Sequence, residues 1–262
     1  MPDPFSTAAG GIELAGALFE LAEKQGIIDK LKIAFKRKPR VLLLGPTGTG
    51  KSNFLQSLSV ERAEPISRAV RTQYPNRKVL TLQKKRAFRF VDTPGDTDYK
   101  DVRIQEIRES LSAKGGISGV INIVSYGYHE YHVVRGEVFK PDGSIDPDYL
   151  EKHRQIELDQ LDEWTPLLGS PITIGWLITI VTKADLWWDQ RKDVLKYYQK
   201  GAYKTRLAQA TSLNQRVLMY SSHTSKFYGE APHSGYFDDE DRTKLKQQFV
   251  EALLAALLQH KA

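Results

Sequence analysis

The sequence contains no cysteine in its 262 residues. That excludes disulfides and thiolate metal sites, and it suits a reducing cytoplasm, the location expected here. No apolar run approaches the roughly 18 residues that a membrane span requires. The start, Met1-Pro2-Asp3-Pro4, lacks the positive charge that opens a secretory signal, so none is expected. Internal repeats and low-complexity tracts are absent too, which excludes repeat arrays. Charge of one sign is barely in excess, at +6. A balance of this size is common on ordinary surfaces, so nucleic acid is not indicated, although an anionic membrane stays an option. What is present is ordinary for a soluble globular chain: 40% hydrophobic and 27% charged residues. The length suits one large α/β domain with an appendage.

Against that background one stretch stands out. Val41 to Leu44 are four aliphatic residues in a row, as a strand buried on both faces requires. Gly45-Pro46-Thr47-Gly48-Thr49-Gly50-Lys51-Ser52 follows, which is the spacing of a phosphate-binding loop. Its glycines let the backbone curl until successive N–H groups face one anion. Lys51 is expected to reach the β- and γ-phosphates, and the Ser52 hydroxyl to ligate Mg²⁺. A helix opening near Lys51, through Asn53, Phe54, Leu55 and Leu58, would turn its positive end to the phosphates.

Before this loop, Leu14, Leu18, Leu21, Ile28, Leu31 and Phe35 form one helical stripe between about Gly11 and Lys38. Gly26 is a point of bending or breaking, and Pro39 ends the helix. Two readings stay open: a helix packed on the main domain, or one that binds a partner or lies on a membrane surface. After the loop, residues 59 to 77 look irregular. Val79–Gln83 and Ala87–Asp92 read as short strands, the second ending in Asp92-Thr93-Pro94-Gly95. An acid at a strand tip beside a phosphate loop is where a Mg²⁺-bound water needs a carboxylate. Gly95 would let a backbone N–H approach the γ-phosphate.

A helix through Ile104, Ile107 and Leu111 and an apolar strand, Ile117 to Ser125, come next. Tyr126 to Asp146 is polar, aromatic and turn-rich, long for a connection, and reads as an elaboration or functional surface. His129 and His132 lack an evident third metal ligand. Asp146-Pro147 opens a helix to about Trp164. A strand from Pro171 to Val181 ends in Thr182-Lys183-Ala184-Asp185. Helices over about 189–211, a strand at Val217–Tyr220 closed by Ser221-Ser222, and a helix carrying Leu245, Phe249, Leu253 and Leu257 complete the chain.

The order of phosphate loop, Asp-x-x-Gly, Thr-Lys-x-Asp and a short strand ending in two small residues resembles the translation-factor-related GTPases. These include small GTPases, Era-like proteins, septins and dynamins. The resemblance runs from Val41 to Ser222. It implies a three-layer P-loop GTPase fold of the α/β class: a mostly parallel six-stranded sheet, one antiparallel edge strand and helices on both faces. Nucleotide would lie above the strand ends.

By the same resemblance Asp185 would accept from guanine N1 and the exocyclic amine, and Lys183 would lay its stem along the base. Thr182 stands where most of the class has Asn. Ser222 matches the residue whose N–H meets guanine O6, without the usual neighbours. A Thr in a mobile segment would complete the Mg²⁺ shell; Thr72 is the expected ligand, with Ser67 and Thr81 as alternatives. The residue after the Asp-x-x-Gly glycine is Asp96 instead of a water-orienting Gln, which implies slow turnover without a partner or dimerisation; Arg71 or Arg68 is a further catalytic candidate.

The function expected is Mg²⁺-dependent hydrolysis of GTP in a switch or assembly cycle, with a protein effector or second copy as partner. A GTP-binding scaffold with negligible turnover is the alternative; a P-loop ATPase would leave Lys183 and Asp185 unexplained. The expected domains are a helical extension, residues 1–38, and a GTPase domain, residues 39–262, with a polar insertion at 126–146.

Overall fold

A computed structural model of the protein describes residues 14–36, 39–58, 76–82, 85–113, 115–130, 137–168, 174–223, 227–228 and 236–259. Among the described residues six strands form one sheet: β1 (Arg40–Leu44), β2 (Asn76–Leu82), β3 (Lys85–Asp92), β4 (Gly119–Val124), β5 (Trp176–Val181) and β6 (Gln215–Met219). Their order is β2-β3-β1-β4-β5-β6. Only the edge strand β2 runs antiparallel, pairing with β3; the other pairings are parallel. Parallel strands need helices on both faces to bury them, which accounts for the unbroken aliphatic runs. Side chains alternate along β1, so Val41 and Leu43 enter one apolar cluster while Leu42 and Leu44 enter the other.

One face is covered by α1 (Leu14–Lys24), α2 (Ile28–Lys36), α3 (Lys51–Ser57) and α9 (Asp239–Gln259). The other carries α4 (Lys100–Ser112), α5 (Pro147–Leu168), α7 (Arg191–Lys200) and α8 (Ala202–Ala210), after a short α6 (Ala184–Trp187). The expected single N-terminal helix is two. Gly26 has φ +66°, and Ile27 N–H donates back to Ala22 O, so the chain reverses there. Phe19 then stacks on Phe35 with centroids 5.4 Å apart. Leu14, Leu18 and Leu31 are fully buried in the cluster that holds Phe54 and Phe249. Of the two readings for the stripe, packing is the one realised: α1 and α2 lie on α9, and the apolar face is spent in the core.

Other boundaries shift modestly. β2 and β3 are longer than expected, and β5 starts at Trp176, with residues 171–173 outside the described set. Helix α5 runs one turn past Trp164 although Pro166 lies in it. In the last turn the proline interrupts little of the remaining ladder. Asp146 Oδ1 accepts from Asp148 N–H at 3.1 Å, as an N-cap should. The 126–146 stretch is less of a surface than expected: Tyr128, His129 and Val138 are buried. Among the described residues no helix is long and apolar enough to cross a membrane.

Candidate nucleotide-binding site

The phosphate loop leaves β1 at Leu44 and enters α3 at Lys51, with Gly50 as a left-handed N-cap. Lys51 is buried, and its Nζ donates to Gly45 O at 2.7 Å and Pro46 O at 3.0 Å. Burial pulls its pKa down to about 8, against the opposing pull of Asp92. Thr49 Oγ1 is turned inward onto Pro46 O at 2.8 Å, so it braces the loop. Gly48, at φ +79°, packs so closely that a Cβ there would lie 2.6 Å from the backbone N and O of Glu130. No other residue fits without parting the two segments. Ser52 and Asn53 are half-buried in the first turn of α3.

Pairing in register with Leu43 brings Asp92 to the tip of β3 beside the loop, with only 2% of its surface exposed. Thr93 fixes the turn by donating N–H and Oγ1–H to Leu43 O. Gly95 then lies on the loop. Its carbonyl accepts from Thr47 N–H at 3.1 Å, and a Cβ would stand 2.3 Å from Lys51 Nζ. The segment is also held from behind. Gln160 of α5 donates to Gly95 O at 2.8 Å. Arg103 of α4 donates to Pro94 O and Asp96 O, each at 2.9 Å, and pairs with Glu163 of α5. Asp96 Oδ1 accepts from Asp98 N–H at 3.2 Å, so that carboxylate oxygen caps its own turn.

The loop after β5 lies against the phosphate loop from the other side. Thr182 Oγ1 donates to Thr49 O and, at 3.0 Å, to Val124 O. Lys183 adopts φ +58°, uncommon for a residue with a side chain. Its Nζ donates to Tyr128 O at 2.7 Å and Glu130 Oε2 at 2.8 Å. Asp185 is buried, and its Oδ1 accepts from Ser221 Oγ at 2.9 Å. Ser222, the residue expected to matter after β6, is half-buried and follows Ser221 in the chain.

Between the two loops, the turn after β4 is organised by the buried Glu157 of α5. Its Oε1 accepts from Ser125 N–H at 2.9 Å, Gly127 N–H at 3.2 Å and His129 Nε2–H at 3.0 Å; Tyr198 O–H donates to Oε2. Burial lowers the His129 pKa and raises that of Tyr198, with the Glu157 charge adding to the latter. His129 is thus a core residue bound to a carboxylate, and His132 lies outside the described residues. Among the described residues no group of three or more metal-ligating side chains occurs.

The structure therefore brings Gly45–Asn53, Asp92, Gly95, Thr182, Lys183, Asp185 and Ser222 to one end of the parallel strands. Ser67, Arg68, Arg71 and Thr72 lie outside the described residues, as does the side chain of Thr81. Sequence reasoning missed Ser221, Glu130, Gln160 and the Arg103–Glu163 pair. Ser221 was within reach, standing one position before the expected Ser222. The others carry no motif.

Residues 40–146 match the family model described as 50S ribosome-binding GTPase. No curated protein matches the chain. Solved structures that resemble it include a dimerization-deficient mutant of Toc33 from Arabidopsis thaliana, at 16% identity and TM-score 0.47, covering 97% of this chain and 95% of that one. Another is an S. thermophilus NFeoB variant bound to GDP.AlF4-, at 14% identity and TM-score 0.38, covering 70% and 57%. The mammalian SRP receptor is similar at 12% identity and TM-score 0.44, covering 83% and 99%.

Proposed function

We propose that this chain, whose residues 40–146 match a GTPase family model, binds GTP with Mg²⁺ and hydrolyses it to GDP and phosphate. The observation that carries the reading is the junction of two loops. Thr182 bonds the phosphate loop through Thr49 O, and the same loop holds Asp185 buried against Ser221. A carboxylate there accepts from the two donors on guanine's edge, whereas adenine offers an acceptor at its ring nitrogen, so Asp185 disfavours it. This is why a P-loop ATPase is the weaker reading.

At the phosphate end, Lys51 would exchange the carbonyls of Gly45 and Pro46 for β- and γ-phosphate oxygens. The donors available for a metal are oxygens, the Ser52 hydroxyl and the buried Asp92 carboxylate acting through water. Such hard ligands suit Mg²⁺, which when bound would offset the negative charge of the phosphates. Thr72 is proposed as a further oxygen ligand. Gly95 fits a role in contacting the γ-phosphate, since its lack of a side chain is what lets it lie on Lys51.

Asp96 is engaged at Asp98 N–H, which favours slow intrinsic turnover. Acceleration by an effector or a second copy, with Arg71 as a candidate, belongs to the same proposal. So do a switch or assembly role, a cytoplasmic location, and the division into residues 1–38 and the nucleotide-binding domain 39–262. The test is direct. Affinity for GTP, GDP and ATP is measured by calorimetry, and phosphate release is measured with Mg²⁺ and with a chelator. Equal affinity for ATP would remove the guanine reading. Tight GTP binding with no phosphate release would leave a nucleotide-binding scaffold.

A further inference from the structure

Glu130 belongs to no nucleotide-binding motif, yet it touches three walls of the site. Its backbone N–H donates to Gly48 O of the phosphate loop at 3.1 Å. Its Oε2 accepts from Lys183 Nζ at 2.8 Å, and its Oε1 from Tyr228 N–H at 3.1 Å, beyond β6. The Lys183 ammonium is further fixed by Tyr128 O and lies 5.4 Å from the centroid of the Phe227 ring. Burial opposes ionisation of Glu130, but the Lys183 ammonium and the Tyr228 amide outweigh it and hold its carboxyl below the usual range. The turn that delivers Glu130 is itself fixed, because Glu157 binds Ser125, Gly127 and His129.

A lysine has four rotatable side-chain bonds and no fixed direction of its own. For its stem to lie as a flat wall against a base, its far end must be tied. The backbone of Lys183 is already in the sparse left-handed region, so the stem's course depends on what holds the ammonium.

We propose that Glu130 is the positioning residue for Lys183, tying its ammonium so that the alkyl stem forms one face of the purine slot. This deepens the proposed function and rests on its assignment of Lys183 and Asp185 to the base. Glu130 acts through Lys183 and touches neither phosphate nor the reacting atoms. Its contribution therefore appears only for ligands that carry a base, whereas Lys51 acts on any polyphosphate.

The experiment uses the full chain and measures the Kd of GDP and of inorganic tripolyphosphate for the parent, Glu130→Gln, Lys183→Met and the double variant. Charge-assisted bonds of this kind, half-shielded from water, predict that Glu130→Gln weakens GDP by about tenfold and tripolyphosphate by less than about twofold. In the Lys183→Met background, Glu130→Gln should have no further effect, because the group it positions is gone. A loss that is equal for GDP and tripolyphosphate would overturn the proposal, since Glu130 would then act on the phosphate loop through Gly48. Additive losses in the double variant, or no loss in the single one, would overturn it as well. If Glu130→Gln does not fold, Glu130→Asp keeps the charge but shortens the reach, and the same split between ligands is expected. The assignment beneath the proposal fails separately: a parent that binds ADP as tightly as GDP would remove the base reading, whatever Glu130 does.

Discussion

In the proposed function Asp185 is the residue on which the choice of base turns. It is buried and accepts one hydrogen bond from Ser221 Oγ, which orients its carboxylate. In Asp185→Asn an amide donor would face the guanine amine, also a donor. We expect GTP affinity to fall about a hundredfold or more, about 2.7 kcal/mol, with preference passing to xanthosine triphosphate, which carries a carbonyl at that position. Competition binding with the two triphosphates checks this. A uniform loss for both nucleotides would mean only that the loop had been damaged. Lys51→Ala, in contrast, should weaken every nucleoside triphosphate alike, since in the proposed site its ammonium would meet phosphate and not base.

Among the elements, α5 carries a row of inward polar side chains. Glu157, Gln160 and Glu163 stand three residues apart, and each holds a different part of the site: the turn after β4, Gly95 O, and Arg103. At that spacing they share one side of the helix, so α5 braces both the turn after β4 and the segment that carries Gly95. Gln160→Leu keeps the bulk and removes the donor to Gly95 O. In the proposed reaction, loosening the segment assigned to the γ-phosphate would cost orientation. We expect turnover to fall about three- to tenfold, with GDP affinity unchanged within about twofold. Single-turnover phosphate release and GDP titration separate the two effects. No motif in the sequence marks this row; its burial depends on α4, α8 and the sheet lying over it, which no local pattern encodes.

For the whole molecule, the N-terminal helices are part of the core. Leu18 is fully buried in the cluster with Phe54 and Phe249. Leu18→Ala should therefore cost about 2 to 5 kcal/mol, read as a lower denaturant midpoint, while the folded fraction keeps its GDP affinity. Removal of residues 1–38 should expose the apolar face of α9 and lower solubility. Stability should also fall in acid. His153 is buried, and burial brings its pKa down to about 4, while its Nδ1–H donates to Tyr149 O at 2.6 Å. His129, also lowered by burial, lies 5.1 Å away between ring centroids. The unfolded chain takes up a proton near pH 6.5 and the folded chain only near 4. The contribution of His153 is thus complete above about pH 6.5 and is lost on falling toward 4, by at most about 3 kcal/mol. Denaturant midpoints between pH 7 and 4 should slope less steeply in His153→Phe.

By itself the sequence determined the phosphate loop, the order of strands and helices, the places of Asp92, Gly95 and Asp185, and the α/β class. Asp185 apart, these follow from runs and spacings within a few residues, where backbone periodicity and short-range sterics act; Asp185 was marked by the motif order in which the chain resembles GTPases. It left the N-terminal stripe without an address, since an amphipathic face specifies only that it must be covered. The tertiary structure decided that α9 covers it. Tertiary structure alone also joined Glu130 to Lys183, 53 residues apart, and Gln160 to Gly95, 65 apart. Such bonds require two loops or a loop and a helix to arrive at one place. Glutamate, glutamine and lysine are common on solvated surfaces, so in the sequence nothing marks which of them will be buried and paired. Only the packing of α5 and the turn after β4 against the strand ends gave them partners within the protein.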